Sequence, residues 1–330
     1  MMLSGGLDSR LAMKMMLDQG IELHAYNHTT AFCTCTSRSS CRHEAVKAAQ
    51  EFDVPLSVHN VTEEFLRIIE EPDHGYGSGV NPCIDCRIML FRGARRLMEQ
   101  IGGRFVVTGE VLGERPMSQR RDAMDHIEKE SGLEGLVLRP LCAKALEPTV
   151  PEKEGWVERE KLEDITGRRR VPQIELAEEL GINDYPCPAG GCRLTDPGYA
   201  ARMRDLLEHN RPLQVNDVQL LKFGRHFRLD GRAKVIVGRD EDENKMIDRL
   251  SRPEDHKVEL AAIPGPLTIV RGEPGAEHLR TASAMTARYS KARERESVDV
   301  CHWQNNRENA TMITVAPARD EEIAPLRIER

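Results

Sequence analysis

The sequence is poor in aromatic residues and has no long apolar run. Only 4% of its 330 residues are Phe, Trp or Tyr, whereas 39% are hydrophobic and 31% are charged. The core must therefore be built from aliphatic side chains and Met, which excludes a fibrous or wholly disordered chain. No stretch approaches the roughly 20 apolar residues that span a bilayer, and the first residues show no charged-then-apolar signal pattern. These absences predict a cytoplasmic protein that does not enter a membrane.

An overall positive charge is also missing. The chain has 47 Lys and Arg against 54 Asp and Glu, a net charge of -7, so any nucleic-acid surface must be a local patch. Positions 222–239 hold six cations and two aromatic rings, a mixture that suits phosphate contacts with some base stacking. A solvated charged face is the alternative. The candidate RNA-binding residues are Lys222, Arg225, His226, Arg228, Arg232, Lys234 and Arg239.

The patterning of the chain changes along its length, and 330 residues exceed what one core usually serves. From Leu3 to about Arg139, short apolar runs alternate with helical patterns, which predicts a parallel sheet wrapped by helices. After Pro212 the period shortens to strict alternation, which predicts a small α+β domain. We therefore expect domains at 1–145 and 213–330, joined by a helical connector at 146–212 that carries a cysteine pair.

The segment Ser4-Gly5-Gly6-Leu7-Asp8-Ser9 lies between the first apolar residues and the first predicted helix. Two glycines allow backbone N–H groups to point into one hollow, and the helix N-terminus adds its positive dipole end, a combination that holds phosphate oxygens. Asp8 can orient a Mg²⁺ ion there. An ordinary glycine-rich turn with a helix cap is the alternative. Only Met1, Met2 and Leu3 precede the loop, where a strand usually has about five or six residues, so we expect the natural chain to begin upstream.

This loop resembles the PP-loop of ATP pyrophosphatases, enzymes that cleave ATP between the α and β phosphates and transfer AMP to a substrate oxygen. The resemblance implies a five-stranded parallel sheet with helices on both faces. The segment Thr108–Gln119 is similar to the second nucleotide-site motif of tRNA 4-thiouridine synthases, with Glu114 in place of a Gln; a flexible glycine loop is the alternative. The ATP-binding residues so implied are Ser4, Gly5, Gly6, Leu7, Asp8, Ser9, Tyr26, Asn27, Gly109, Glu110, Gly113, Ser118 and Gln119.

Nine cysteines in a reducing compartment indicate metal, cluster or redox ligands better than disulfides. Cys83 and Cys86 form a Cys-x-x-Cys pair at the start of a predicted helix, whose dipole should lower the thiol pKa. Asn81-Pro82-Cys83 resembles the sulfur-delivering segment of tRNA thiolation enzymes, which implies a later partner cysteine that Cys192 matches better than Cys187.

Three roles for these thiols stay open. Three cysteines leave one iron of a 4Fe-4S cluster free to bind a sulfide for transfer. The alternatives are a persulfide relay through Cys83 or Cys86 and Cys192, or a structural Zn²⁺ held by Cys83, Cys86, Cys187 and Cys192. Cys33, Cys35 and Cys41 could compete as ligands.

The resemblance as a whole implies a tRNA sulfurtransferase that uses ATP and Mg²⁺. A uridine oxygen would attack the α-phosphate at Ser4–Ser9, with Asp8 as a catalytic residue. Sulfur held by Cys83, Cys86 and Cys192 would then displace AMP, since a carbonyl oxygen leaves readily only once it carries phosphate. The expected partners are tRNA and a sulfur donor, either sulfide or the persulfide of a cysteine desulfurase. The product expected first is 4-thiouridine, with 2-thiolation close behind.

The C-terminal part carries a second resemblance. The segment from Lys222 to Asn244 resembles the RNA-binding domain of NFACT-type ribosome quality-control proteins. Two rival functions therefore remain, a non-catalytic RNA-binding or ribosome-associated factor and an amidating enzyme of the PP-loop class. Ser4, Asp8 and Ser9 favour an enzyme over a binding protein, and Cys83 with Cys86 favours sulfur over an amine.

Overall fold

The computed structural model describes residues 1–33, 41–186 and 191–329, except for the side chain of Cys41. The chain forms two compact units, Met1–Thr195 and Asp196–Arg330. The boundary falls inside segment 146–212, which the sequence predicted as a connector. Across the described ranges, no helix combines the length and the apolar composition needed to cross a bilayer.

The first unit alternates helices and short strands, as the sequence predicted. Its helices are α1 (Leu7–Asp18), α2 (Cys41–Glu51), α3 (Thr62–Glu70), α4 (Cys83–Gln100), α5 (Arg121–Ser131), α6 (Val150–Lys153) and α7 (Val171–Glu179). Its strands are β1 (Ala25–Thr29), β2 (Leu56–Asn60), β3 (Val106–Val107) and β4 (Val137–Leu138). Strand β1 pairs with β2 and β3 pairs with β4, both in parallel.

Residues 1–3 run between the two parallel pairs. The Met2 amide donates to the Val107 carbonyl (2.8 Å), and the Leu3 amide donates to the Tyr26 carbonyl (2.9 Å). These residues form a single parallel bridge, Met2 with Tyr26. The mixed α/β architecture is confirmed, whereas a continuous five-stranded parallel sheet stays a prediction that the described residues do not show.

Helix α1 is almost entirely buried and fixes the loop that precedes it. Leu7, Leu11 and Met13 belong to the main apolar cluster of this unit, and burying each such side chain contributes roughly 1.5 to 3 kcal/mol. Arg10 is also fully buried; its Nε donates to the Gly5 carbonyl (3.1 Å) while its Nη1 pairs with Glu51. The buried guanidinium of Arg10, paired with Glu51, therefore fixes the loop backbone at Gly5.

The second unit is built on a six-stranded antiparallel sheet in the order β10-β9-β7-β8-β6-β5. The strands are β5 (Arg225–Asp230), β6 (Ala233–Val237), β7 (His256–Leu260), β8 (Thr268–Gly272), β9 (Val298–Trp303) and β10 (Thr311–Val315). The helices are α8 (Pro197–His209), α9 (Val215–Leu220), α10 (Glu241–Leu250), α11 (Ala276–Arg288) and α12 (Asp320–Ile323).

The two faces of this sheet are covered by different helices. Val235 and Val237 of β6 pack in one apolar cluster with Met285 of α11. Ile236, between them, packs in another cluster with Leu220 of α9, together with residues of α10. This alternation follows from the two-residue period of a strand, and it places Lys234 on the Ile236 face.

Candidate functional site

The loop Ser4–Ser9 has a backbone conformation that requires glycine at position 5. Gly5 has φ +80°, and a Cβ there would lie 2.4 Å from the backbone carbon of Glu44, so only glycine fits. The Ser9 hydroxyl donates to the Gly6 carbonyl (2.9 Å) and lies 3.2 Å from the Ser4 hydroxyl. The unpaired amides of the first turn of α1 follow directly, and such amides bind anions.

The second nucleotide motif packs directly on this loop. A Cβ at Gly109 would lie 2.5 Å from the Asp8 carbonyl oxygen, so the two backbones touch at that point. The chain then turns at Gly113, whose φ is +80° and whose amide donates to the Gln119 carbonyl (2.7 Å). The Gln119 side chain accepts from the Arg115 amide (2.8 Å). Two motifs about a hundred residues apart in sequence therefore form one surface.

Acidic and basic groups converge beside the loop. The Arg170 Nη2 lies 3.4 Å from the Asp8 Oδ2, while the Asp8 Oδ1 is buried with no hydrogen-bond partner in the described structure. Burial raises the pKa of Asp8, against the opposing charges of Arg170 and Arg115. Burial, followed by the charge of Asp8, likewise raises the pKa of Glu114. An unpaired carboxylate oxygen beside a phosphate hollow fits a divalent cation, because Mg²⁺ prefers oxygen ligands and remains bound to phosphates.

The residues predicted at the end of β1 have different surroundings. The Asn27 Nδ2 donates to the Leu3 carbonyl (2.8 Å), and its Oδ1 is buried and has no partner within the described ranges. Tyr26 is 3% exposed and packs against α4, where a Cβ at Gly93 would lie 2.3 Å from the Tyr26 hydroxyl. Asn27 therefore has an unpaired acceptor next to residues 1–3, which lead into the loop. The Tyr26 ring packs against α4 instead.

Glu110 belongs to a buried ion-pair network. Its carboxylate lies 3.2 Å from the Arg139 Nε and 3.5 Å from the Arg87 Nε. Arg139 also pairs with Glu128, and these charges are nearly excluded from solvent. Removing one member would leave an uncompensated buried charge, which is strongly destabilising. Glu110, within the second nucleotide motif, therefore neutralises the buried charge of Arg139.

Four cysteines come together in the first unit. Cys33 and Cys192 form an antiparallel bridge, flanked by a hydrogen bond from the Arg193 amide to the Phe32 carbonyl (3.1 Å). Cys192, Cys83 and Cys33 each lie close enough to Cys86 to raise its pKa if they were ionised. The three thiols predicted to act together are thus neighbours, and Cys33 joins them. Cys187 and Cys35 lie outside the described residues.

Burial sets the protonation state of these thiols. It raises the pKa of Cys86 to about 12 and that of Cys192 to about 11. The lowering expected from the helix N-terminus is therefore outweighed, and both groups are thiols at neutral pH. A thiol must lose its proton before it attacks or binds a metal. In the described parts of the chain, no group of three or more His, Cys, Asp or Glu side chains is arranged to hold a metal ion.

A hydrogen-bonded chain of ionisable groups, missed by the sequence analysis, begins between the two cysteines of α4. The Asp85 Oδ1 lies 2.7 Å from the His74 Nδ1, and the His74 Nε2 lies 2.7 Å from the His126 Nε2. A carboxylate that holds one imidazole nitrogen orients the ring and determines which nitrogen carries the proton. The only sequence signal was a His in the loop before the Cys-x-x-Cys pair.

The predicted RNA-binding residues do not form one solvated face. Arg232 and Arg239 are exposed, while His226 and Lys234 are buried. The guanidinium of Arg225 lies 4.6 Å from the ring centroid of Tyr289. The remaining two, Lys222 and Arg228, are partly buried. The basic residues of segment 222–239 are therefore divided between the surface and the interior of the second unit.

Comparisons with known proteins identify both parts of the chain. Residues 1–148 match the family model described as thiamine biosynthesis protein (ThiI), and residues 224–326 match the NFACT protein RNA binding domain. The tRNA-specific 2-thiouridylase MnmA of Xanthobacter autotrophicus is 26% identical over 242 residues, covering 68% of this chain. This chain spans 58% of that relative's length.

Solved structures are similar at lower identity. A 4-thiouridine synthetase–RNA complex with bound ATP is 20% identical, covers 67% of this chain and 51% of its own, and has a TM-score of 0.37. The C-terminal part of the fibronectin/fibrinogen-binding protein from Streptococcus suis is 14% identical, covers 74% of this chain and 94% of its own, and has a TM-score of 0.30. The two family matches support the resemblance found in the sequence, with a ThiI-like PP-loop region at residues 1–148 and a region similar to the NFACT-type RNA-binding domain at residues 224–326.

Proposed function

We propose that this chain is an ATP-dependent tRNA sulfurtransferase that makes 4-thiouridine. One observation carries the proposal: the Arg87 Nε, one residue after Cys86, lies 3.5 Å from a Glu110 carboxylate oxygen, and the neighbouring Gly109 packs on the Asp8 backbone. A phosphate hollow and a group of thiols that are joined through one short segment can act on the same substrate atom. The ThiI-family match and the Thr108–Gln119 motif favour 4-thiolation, while the similarity to a 2-thiouridylase makes 2-thiolation the alternative product.

The first half-reaction activates the uridine. The carbonyl oxygen attacks the α-phosphorus of ATP held at Ser4–Ser9, the bond to the β-phosphate breaks, and pyrophosphate leaves. Arg170 and Arg115 lie where they can offset the negative charge that develops on the phosphate. The Asp8 Oδ1 would hold Mg²⁺, which supplies Lewis-acid assistance when it is bound.

The second half-reaction replaces oxygen with sulfur. A persulfide on one cysteine carries the sulfur in this proposal, because the described thiols are not arranged to hold a metal. Its terminal sulfur attacks the activated carbon, and AMP leaves with the electron pair of the C–O bond. A second thiol then attacks the enzyme's own sulfur, which releases thiouridine and leaves a disulfide for a thiol reductant to open. Because burial raises the pKa of the thiols, each attack needs a proton acceptor.

Incubation of the purified chain with ATP, Mg²⁺, a persulfide donor and unmodified tRNA tests this function. We expect tRNA-dependent release of pyrophosphate, together with 4-thiouridine detected by mass spectrometry of the digested nucleosides. Formation of 2-thiouridine would reassign the position while retaining the activity. Tight tRNA binding with neither product would instead support a non-catalytic RNA-binding factor.

A further inference from the structure

A cavity of about 310 Å³ lies within the second unit. His226 and Arg228 of β5 and Lys234 of β6 line one side of it, and Leu206 of α8 and Leu220 of α9 line the other. Its volume is at the small end of the range for ligand pockets, which are largely apolar with a few placed polar groups. A space of this size therefore suits one small ligand or one residue of a larger one.

Two cations in this cavity share a single carboxylate. The Arg228 Nε and Nη2 each lie 2.8 Å from an Asp205 oxygen, and the Lys234 Nζ lies 2.8 Å from the same carboxylate. This group of three therefore retains one positive charge. Burial lowers the pKa of Lys234 to about 8, so its ammonium is still mostly charged at neutral pH. Lys234 has two further N–H donors and Arg228 has a free Nη1, which suit an anionic oxygen.

His226, which lines the cavity, has a hydrogen-bond acceptor without a donor. The His226 Nε2 lies 2.8 Å from the Phe223 carbonyl, and since a carbonyl only accepts, Nε2 carries the proton. Burial moves the pKa of His226 well below its ordinary value, so the ring is neutral and Nδ1 is bare. His226 is fully buried, and its Nδ1 has no partner in the described structure. An unpaired buried acceptor is costly, and it points to a ligand that brings an N–H or O–H group.

We propose that this cavity binds one nucleotide of an RNA strand, with a phosphate at Lys234 and Arg228 and a base or ribose donor at the His226 Nδ1. A free phosphate has no group for the apolar side chains of the lining, whereas a nucleotide brings a phosphate, a polar donor and an apolar ring face in one ligand. The apolar side chains of Leu206, Leu220 and Ile236 provide contacts for a base. Arg232, exposed at the rim, is available to a neighbouring phosphate. The inference rests on the RNA partner of the proposed function and adds how that partner is held.

Binding of a fluorescein-labelled oligouridylate of eight nucleotides, followed by anisotropy with the full chain and no ATP, tests the proposal. We expect Lys234→Met and Arg232→Gln to weaken binding by about tenfold and about threefold, respectively, as lost contacts to phosphate do. The matched control is Arg280→Gln, an exposed position on α11 at the other face of the sheet, which should change binding by less than about twofold. Equal weakening by Arg232→Gln and Arg280→Gln would overturn the proposal.

Competition against the wild-type chain gives a result independent of folding. Uridine 5′-monophosphate should displace the oligouridylate at constant ionic strength, whereas inorganic phosphate should not. Displacement by both to the same extent would reduce the cavity to an anion site, and displacement by neither would place the RNA elsewhere; each result overturns the inference. Since the assay needs neither ATP nor sulfur, Asp8→Asn should bind the oligouridylate normally. Failure of thiolation with intact binding would therefore count against the proposed function alone.

Discussion

The Arg170 guanidinium reaches Asp8 across 162 residues of sequence, with its Nη2 3.4 Å from the Asp8 Oδ2. Both side chains keep some exposure, 25% and 21%, and an ion pair of that kind stabilises a fold by only about 0 to 1 kcal/mol. In the proposed function this guanidinium serves the nucleotide, because a phosphate entering the hollow can pair with it in place of Asp8. Arg170 therefore joins the candidate nucleotide site.

Substitution of Arg170 should weaken ATP binding. We expect Arg170→Gln to raise the KM for ATP by about tenfold, since a charge-assisted contact to phosphate contributes about 1.5 to 3 kcal/mol at most. Steady-state pyrophosphate release at varied ATP measures the change. Arg169→Gln, at an exposed neighbouring position, is the control and should behave as wild type. Equal effects of the two variants would mean that only net charge matters.

Asp8 should be required for activity and unfavourable for stability. Its pKa is raised in the folded state, so folding is helped by the protonated form below the unfolded pKa, and this help is lost as pH rises through the folded pKa. At pH 7 the charged, buried carboxylate therefore costs stability in the absence of ligand. We expect Asp8→Asn to abolish pyrophosphate release while its Tm at pH 7 equals or exceeds that of wild type.

The control for this variant lies on the same helix. Asp18, at the other end of α1, pairs with Lys14 and is 45% exposed, so Asp18→Asn should retain activity. A marked fall in the Tm of Asp8→Asn would show that Asp8 is a structural residue.

The two half-reactions should separate at Cys192. Cys192→Ala should retain tRNA-dependent pyrophosphate release and lose thiouridine, because adenylation depends on the loop and sulfur transfer on the thiols. Both products are measured in one reaction. Cys301→Ala, on β9 of the other unit, should form both products. If Cys192→Ala lost both activities while remaining folded, the assignment of separate roles would be wrong.

The raised thiol pKa values predict slow alkylation. With pKa values of about 12 and about 11, Cys86 and Cys192 carry very little thiolate at pH 8. Iodoacetamide should therefore modify them about a hundredfold more slowly than it modifies free cysteine, whose pKa is about 8.5. Peptide mapping by mass spectrometry against time measures the rates, which should rise steadily from pH 8 to pH 10. Rates like that of free cysteine would show that the surrounding protein does not raise these two pKa values.

Local motifs were predictable, whereas long-range neighbours were not. The sequence identified the glycine turns at Ser4–Ser9 and Gly109. It could do so because a positive φ or a close contact between two backbones requires glycine at that position. The position of Arg170 could not be predicted, since it depends on how distant segments pack, and Cys33 was only one of three cysteines that could compete as ligands. The alternation of residue types after Pro212 predicted strands such as β6. The two-residue period of a strand puts Lys234 on the opposite face of the sheet from Val235 and Val237. Sequence does not show that α8 and α9 cover the Lys234 face, and hence that this cation is buried.

The thiol pKa values show the same limit. The sequence places Cys83 and Cys86 at a helix N-terminus, where the dipole favours a thiolate. The degree of burial is a property of the assembled unit, and for Cys86 it has the larger effect on the pKa. That Cys83, Cys86 and Cys192 act together stays a prediction, while the lowered pKa expected for the thiol of Cys86 is not found, because burial raises it.

The fate of the uridine oxygen tests the central claim most directly. A tRNA labelled with ¹⁸O at the carbonyl oxygens of uridine is converted under single-turnover conditions, and the AMP formed is analysed by mass spectrometry. Attack of the carbonyl oxygen on the α-phosphate predicts one ¹⁸O atom in AMP for each thiouridine produced. Unlabelled AMP accompanying thiouridine would contradict the account, because the nucleobase would then have exchanged its oxygen without being adenylated.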